Sequence, residues 1–197
     1  MTAFFLAAFL GFEAPLTIYI LSGLPRPYDS IMRLCFTISS IFLCLSKTIV
    51  EWLKMIIYYT DGSCSPNPGP GGFAVIKDTE LAIVGHEPVS TNIRMEGKAL
   101  AMALLDADSA ECQIFSDSEF WINVVTKWSA SWEANGWTKK GHKIKNLDIV
   151  QAVCDLYRKS NAQLIWIRGH EGDIGNELAD KWANKAREQK LVGKILF

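Results

Sequence analysis

Asp61, Glu96, Asp117 and Asp180 are the side chains of this sequence whose types and settings could do chemistry together. Asp61 follows the apolar run Met55-Ile-Ile-Tyr-Tyr59, which predicts a buried strand over Met55–Thr60 with the acid leaving its carboxyl end. Asp117 leaves a second strand, Cys112–Ser116, in the same way. Glu96 falls in the first turn of the Ala/Leu/Met-rich stretch Met95–Ala107, which predicts a helix. Asp180 lies one turn into a closing helix, Asn176–Gln189. At helix geometry it stands about 200° around from Leu178, beside the apolar stripe.

Singly, each acid has a plain structural use. Asp61 and Asp117 suit turns or helix caps, and Glu96 suits a helix N-terminus. Two strand-end carboxylates together argue further. If their strands are parallel neighbours, both acids emerge at one sheet edge, where ligands of α/β sheets collect. Carboxylates that close repel each other unless a cation lies between them. Hard oxygen donors, in a chain with three histidines, favour Mg²⁺ or Mn²⁺ over zinc.

The elements that must position these acids form an alternating pattern. After the first strand comes a Pro/Gly loop, then strands Phe73–Lys77 and Leu81–Gly85 around a short polar turn, predicting an antiparallel meander. Helix Met95–Ala107 follows, carrying Gly97 at a cost of ~1 kcal/mol against Ala. The pattern continues with strand Cys112–Ser116, helices Ser118–Trp128 and Leu147–Lys159, strand Gln163–Arg168 and the closing helix. Strands first in a meander and then alternating with helices imply an α/β fold: a five-stranded mixed sheet, three strands antiparallel and two parallel, flanked by helices.

Composition divides the chain. Residues 1–54 hold two apolar stretches, Thr2–Ser22 and Ile31–Val50, and seven charged residues. Residues 55–197 hold 16 of the 20 Lys/Arg and 18 of the 21 Asp/Glu and read as a globular domain. A bilayer span needs roughly 20 mostly apolar residues. Glu13 and Pro15 interrupt the first stretch, and Arg33 and Lys47 bracket the second closely. We weigh three accounts of this N-terminal extension: a membrane hairpin or anchor, an extension from an upstream start codon with Met55 as the natural beginning, and a buried helical subdomain. The start lacks the basic region of a signal peptide. Five widely spaced cysteines without a CxxC pair fit a reducing compartment, so a cytoplasmic location is expected, membrane-anchored if the extension is real. Net charge is −1, so any polyanion must be gripped by a local patch.

Such a patch exists. Lys127, Lys139, Lys140, Lys143 and Lys145 face one opposing acid, Glu133, and are interleaved with Trp128, Trp132 and Trp137. A solvated basic face over packed tryptophans explains this as well as a phosphate-tracking surface does.

The stretch Tyr59-Thr-Asp-Gly-Ser-Cys-Ser-Pro-Asn-Pro-Gly-Pro-Gly-Gly72 closely resembles the opening motif of ribonuclease H, bacterial type I. So do Thr91-Asn-Ile-Arg-Met-Glu96, Ser116-Asp-Ser118 and Gly169-His-Glu-Gly-Asp-Ile-Gly-Asn-Glu-Leu-Ala-Asp180, in the family's order and spacing. The resemblance covers Met55 to about Lys190 and implies the ribonuclease H-like fold for residues 55–197. It implies an endonuclease that cuts the RNA strand of RNA–DNA hybrids, leaving 5′-phosphate and 3′-hydroxyl ends. The four acids would bind two Mg²⁺, with Mn²⁺ able to substitute, in two-metal catalysis. His170 matches the family's mobile loop histidine, suited to proton transfer or product release.

For the substrate, the resemblance places the backbone around Gly62 and Ser63, with Asn67, Asn92 and Glu96, in the minor groove, where the 2′-hydroxyl separates RNA from DNA. Thr91 and Asn67 would help hold a DNA phosphate. Residues 127–146 resemble the basic handle that grips the DNA strand, through Trp132, Trp137, Lys139, Lys140, Lys143 and Lys145. Ile93, Val89, Glu119 and Gly97 depart from the family's pattern and bear on substrate affinity. The expected partner is a hybrid duplex bound by a monomer, with membrane association through residues 1–54 as a further expectation. The rival function is a catalytically weak module that binds hybrid or double-stranded RNA on the same fold.

Overall fold

Apolar residues alternate between two faces along the first three strands, so this sheet must be covered on both sides. In the computed structural model, which describes residues 55–169 and 171–197, strand β1 is Ile56–Cys64, β2 is Gly69–Lys77 and β3 is Leu81–Ser90. They form the expected antiparallel meander. Phe73, Val75 and Ile83 point into one core, while Ala74, Ile76, Ala82 and Val84 point into the other. The expectations for residues 1–54 and for His170 lie outside the described residues. Among the described residues no helix is long and apolar enough to cross a membrane.

Helix α1 (Asn92–Ala107) is followed by strand β4 (Glu111–Ser116), which runs parallel to β1. Helix α2 (Glu119–Asn123), a π-helical turn (Val124–Trp128) and helix α3 (Ser129–Ala134) lead to a small hairpin, β5 (Thr138–Lys139) and β6 (His142–Lys143). Helix α4 (Leu147–Lys159) precedes β7 (Asn161–Trp166), parallel to β4. Helix α5 (Ile174–Gln189) and strand β8 (Gly193–Leu196) close the chain. The sheet order is β7-β4-β1-β2-β3-β8.

The five expected strands are all present, and four particulars need correction. A sixth strand, β8, adds antiparallel to β3. Lys194 at its start donates to Asp106 at 2.6 Å; Lys77 and the Tyr58 hydroxyl donate to the same carboxylate, each at 3.0 Å. No apolar alternation marks so short an edge segment, so the sequence pattern carries no signal for it. Second, β1 continues through Asp61 to Cys64, because the glycine-rich residues opposite it are strand rather than loop: Ser63 pairs with Gly72 and Cys64 with Gly71. Third, α1 begins at Asn92, where Thr91 caps it by accepting the Arg94 N–H at 3.4 Å, so Glu96 lies in the second turn. Fourth, the stretch expected as one helix over Ser118–Trp128 is broken by the π-helical turn.

Two close approaches set where α1 lies. A Cβ on Gly62 would fall 2.2 Å from the Glu96 amide nitrogen, so only glycine lets α1 cross β1 there. One residue past Glu96, a Cβ on Gly97 would fall 2.1 Å from the ring of Trp121, which is fully buried. The Trp121 indole N–H donates to the Ile93 carbonyl at 2.7 Å, pinning the ring beneath α1.

Helix propensity and packing therefore oppose each other at Gly97. Propensity alone has Gly97→Ala gaining ~1 kcal/mol. Overpacking against Trp121 predicts a net loss of ~1–3 kcal/mol instead. Urea unfolding of the variant decides, and a stabilised protein would show that the ring yields freely.

Candidate active site

β1 and β4 are paired in parallel only as far as Thr60 and Ser116. Asp61 and Asp117 are the next residues on the two strands, so both acids stand where this ladder ends. Beyond that point β1 stays paired with β2 alone, which opens the sheet on the β4 side. Helix α1 enters above Gly62 and delivers Glu96. Helix α5 packs across β1 and β2 and delivers Asp180. The four carboxylates line one cavity of about 440 Å³, together with Asn92 and Ser118.

Three of the four carboxylates accept hydrogen bonds from neighbouring neutral groups. Asp61 Oδ1 accepts the Gly62 N–H at 2.7 Å. Glu96 is gripped on both oxygens, by Ser118 Oγ at 2.5 Å and by Asn92 Nδ2 at 3.2 Å. Asp180 Oδ1 accepts from Asn184 Nδ2 at 2.9 Å. The main chain at Asp117 is anchored by its carbonyl, which accepts the Trp166 indole N–H at 3.2 Å and the Glu119 N–H at 3.0 Å.

The electrostatics of this cluster are unfavourable. Burial, then the charges of Asp117, Asp180 and Glu96, push the Asp61 carboxyl up to about 8, against the opposing Gly62 N–H. Burial and Asp117 also raise Glu96, opposed by the bonds from Ser118 and Asn92. A divalent cation fits this donor set, since it relieves the repulsion and every nearby charged ligand is a hard oxygen. Among the described residues, no three Asp, Glu, His or Cys side chains are already drawn in far enough to hold one ion.

The other sequence-derived candidates separate by location. Gly62 and Ser63 are buried. The Cβ position that Gly62 leaves empty is occupied by the backbone of α1. Ser63 turns its hydroxyl toward α5. Asn67, Thr91 and Asn92 do come together: Asn67 Oδ1 accepts the Asn92 N–H at 3.3 Å, and Asn92 Oδ1 accepts the Cys64 N–H at 2.9 Å. Asn92 thus joins the β1 end, the α1 start and Glu96 in one side chain.

In the handle, Lys140, Lys143 and Lys145 are exposed. Trp132 is buried in the core and offers little ring to a ligand, correcting its assignment as a contact residue. It serves instead as a platform, with Lys139 Nζ lying 5.7 Å from its ring centroid and 5.4 Å from that of Trp128. Trp137 is half-buried against the same core. Residues that sequence reasoning missed are Ser118 as the holder of Glu96, and Asn184. The i, i+4 spacing of Asp180 and Asn184 on a helix was the available signal for the latter.

This chain resembles known proteins in sequence and in fold. The family model described as RNase H matches residues 53–188. A protein named Ribonuclease H from Francisella tularensis subsp. novicida is 41% identical over 145 residues, covering 71% of this chain and 94% of that one. Another of the same name from Methylorubrum extorquens is 37% identical over 142 residues, covering 70% of this chain but only 62% of its own length. Among solved structures, LC9-RNase H1, described as a type 1 RNase H with the type 2 active-site motif, shares the fold at a TM-score of 0.63 and 22% identity. That likeness covers 73% of this chain and 77% of the other. The foamy viral protease-reverse transcriptase in complex with dsDNA shares it at 0.60 and 22%, covering 68% and 94%.

The raised Asp61 carboxyl has a consequence for stability. Between the ordinary aspartate range and about pH 8, the metal-free native state keeps a proton that the unfolded chain has released. Stability therefore falls as pH rises through that window. Asp61→Asn, neutral throughout, should be more stable than the parent by roughly 1–3 kcal/mol at pH 8, with the gain vanishing near pH 4. Urea unfolding in EDTA across this range measures it. A difference independent of pH would contradict the account.

Proposed function

Because the chain belongs to the ribonuclease H family, we propose that it is a metal-dependent endonuclease that hydrolyses the RNA strand of RNA–DNA hybrids. The observation that carries this is the convergence of Asp61, Glu96, Asp117 and Asp180 on one cavity, with two of them raised by burial and mutual repulsion. These four residues would hold the divalent cations, two Mg²⁺ per site, with Mn²⁺ able to replace them. Bound there, the ions supply activation of the attacking water and neutralisation of charge on the leaving oxygen. The products are a 5′-phosphate and a 3′-hydroxyl.

The chain's own residues prepare that site. Ser118 and Asn92 fix both oxygens of Glu96, so its carboxylate meets the cavity in one orientation. The anchored main chain at Asp117 and the paired strand at Asp61 leave those two acids little freedom except at χ1 and χ2. His170, by the family's pattern, moves a proton at the leaving oxygen or aids product release.

Asn67, Thr91 and Asn92 form the surface beside the acids, and we assign to it the recognition of the 2′-hydroxyl and a neighbouring phosphate. Lys139, Lys140, Lys143 and Lys145 would track the DNA strand, with Lys139 steadied over tryptophan rings. The chain would act as a monomer in the cytoplasm, and residues 1–54 are our candidate for a membrane tether.

Incubating the full chain with labelled RNA–DNA hybrid, RNA duplex and DNA duplex tests the proposal. Only hybrid should be cut, only with divalent cation present. Asp61→Asn should slow cleavage roughly 10³-fold or more, the several kcal/mol that metal-assisted charge stabilisation supplies. Binding of hybrid without any cleavage would favour the rival binding module. Equal cutting of all three substrates would contradict the substrate assignment.

A further inference from the structure

Asp180 is joined to a cation by hydrogen bonds that cross between two elements. Arg187 Nη1 donates to Ser63 Oγ at 2.9 Å, and Ser63 Oγ donates to Asn184 Oδ1 at 2.7 Å. Asn184 Nδ2 then donates to Asp180 Oδ1 at 2.9 Å and to the Asp180 carbonyl at 3.0 Å. Every donor points the same way, from the guanidinium toward the carboxylate, and hydrogen bonds aligned like this strengthen one another. The path is sheltered, because Ser63 is buried and the Arg187 side chain is only 18% exposed.

The position of this chain gives it more than a packing role. Ser63 lies two residues beyond Asp61 on β1, and Asn184 lies one turn beyond Asp180 on α5. The link therefore ties together the two elements that carry two of the four acids. At its centre the side chain must accept on one side and donate on the other, which a carboxamide does and a carboxylate or an alkyl group does not.

Resting on the metal-dependent function proposed above, we propose that Asn184 and Arg187 are positioning residues for cation binding. They hold Oδ1 of Asp180, set its separation from Asp61, and leave Oδ2 for the ion. Groups that orient a metal ligand in this way are commonly worth 10–100-fold in metal affinity.

Calorimetric titration of the full chain with Mg²⁺, without substrate, tests this. Asn184→Ala and Arg187→Ala should each weaken Mg²⁺ binding by roughly 10-fold or more. Arg187→Lys keeps a charged donor within reach of Ser63 and should stay near the parent. Thermal unfolding in EDTA checks that each variant is folded, and Arg187→Lys keeps most of the half-buried side chain in place. Unchanged affinity in both alanine variants, beside a parent that binds Mg²⁺, overturns the positioning role alone. Loss in Arg187→Lys equal to that in Arg187→Ala overturns the role of the donated hydrogen bond. A parent that neither binds Mg²⁺ nor cuts hybrid removes the functional premise as well.

Discussion

Four carboxylates share one cavity, and burial together with their mutual repulsion lifts one of them, Asp61, to about 8. Left to themselves, such groups would separate into water, so the surrounding chain has to hold them against their own charge. It does so with neutral donors. Gly62 N–H, Ser118 Oγ, Asn92 Nδ2 and Asn184 Nδ2 each point a hydrogen at an acid and add no positive charge to the cavity. The nearest cation in this network, Arg187, reaches Asp180 only through two intervening side chains. The field in the cavity thus stays negative, which is the condition for attracting a divalent cation from solution.

The scaffold follows from the same requirement. Two parallel strands ending side by side give two acids, but a sheet edge alone cannot bring helices close enough to supply the others. The glycine at position 62 removes the side chain that would hold α1 away, and α1 then lowers Glu96 beside Asp61. Gly97 performs the matching service one turn face away, letting Trp121 seat under the helix and lock its height. Continuation of the β1–β2 ladder to Cys64 keeps the floor of the site rigid while the β4 side opens. On the far side, α5 lies against the same strands and is tied to them by Ser63.

Much of this was legible in the residues themselves. Asp61 and Asp117 could be placed at neighbouring strand ends because apolar strands end at polar residues, and the meander followed from alternation and turn chemistry. Less legible were features made by backbone pairing and by distant contact. Gly69–Gly72 looks like loop, since glycine is poor in isolated strands, yet its pairing with β1 needs no side chains. Gly97 looks like a defect in a helix until Trp121, 24 residues later, is found against it. β8 is too short and exposed to show a pattern, and its docking rests on pairing with β3 and on contacts such as Lys194 with Asp106. Trp132 illustrates the opposite error: a tryptophan among lysines resembles a contact surface, whereas burial makes it a support for Lys139.

The charge balance also accounts for how a chain of net charge −1 could take a polyanion. Four acids line the cavity, while the exposed lysines of the β5–β6 hairpin and its exit lie on a separate element. The central claim is that the cavity is a cluster of repelling acids awaiting a cation, and the ionisation of Asp61 reports it most directly. Carbon-detected NMR titration of the Asp61 carboxyl should give a midpoint near 8 in EDTA, falling to or below the ordinary aspartate range when Mg²⁺ is added. An ordinary midpoint in the metal-free protein, unmoved by Mg²⁺, would contradict it.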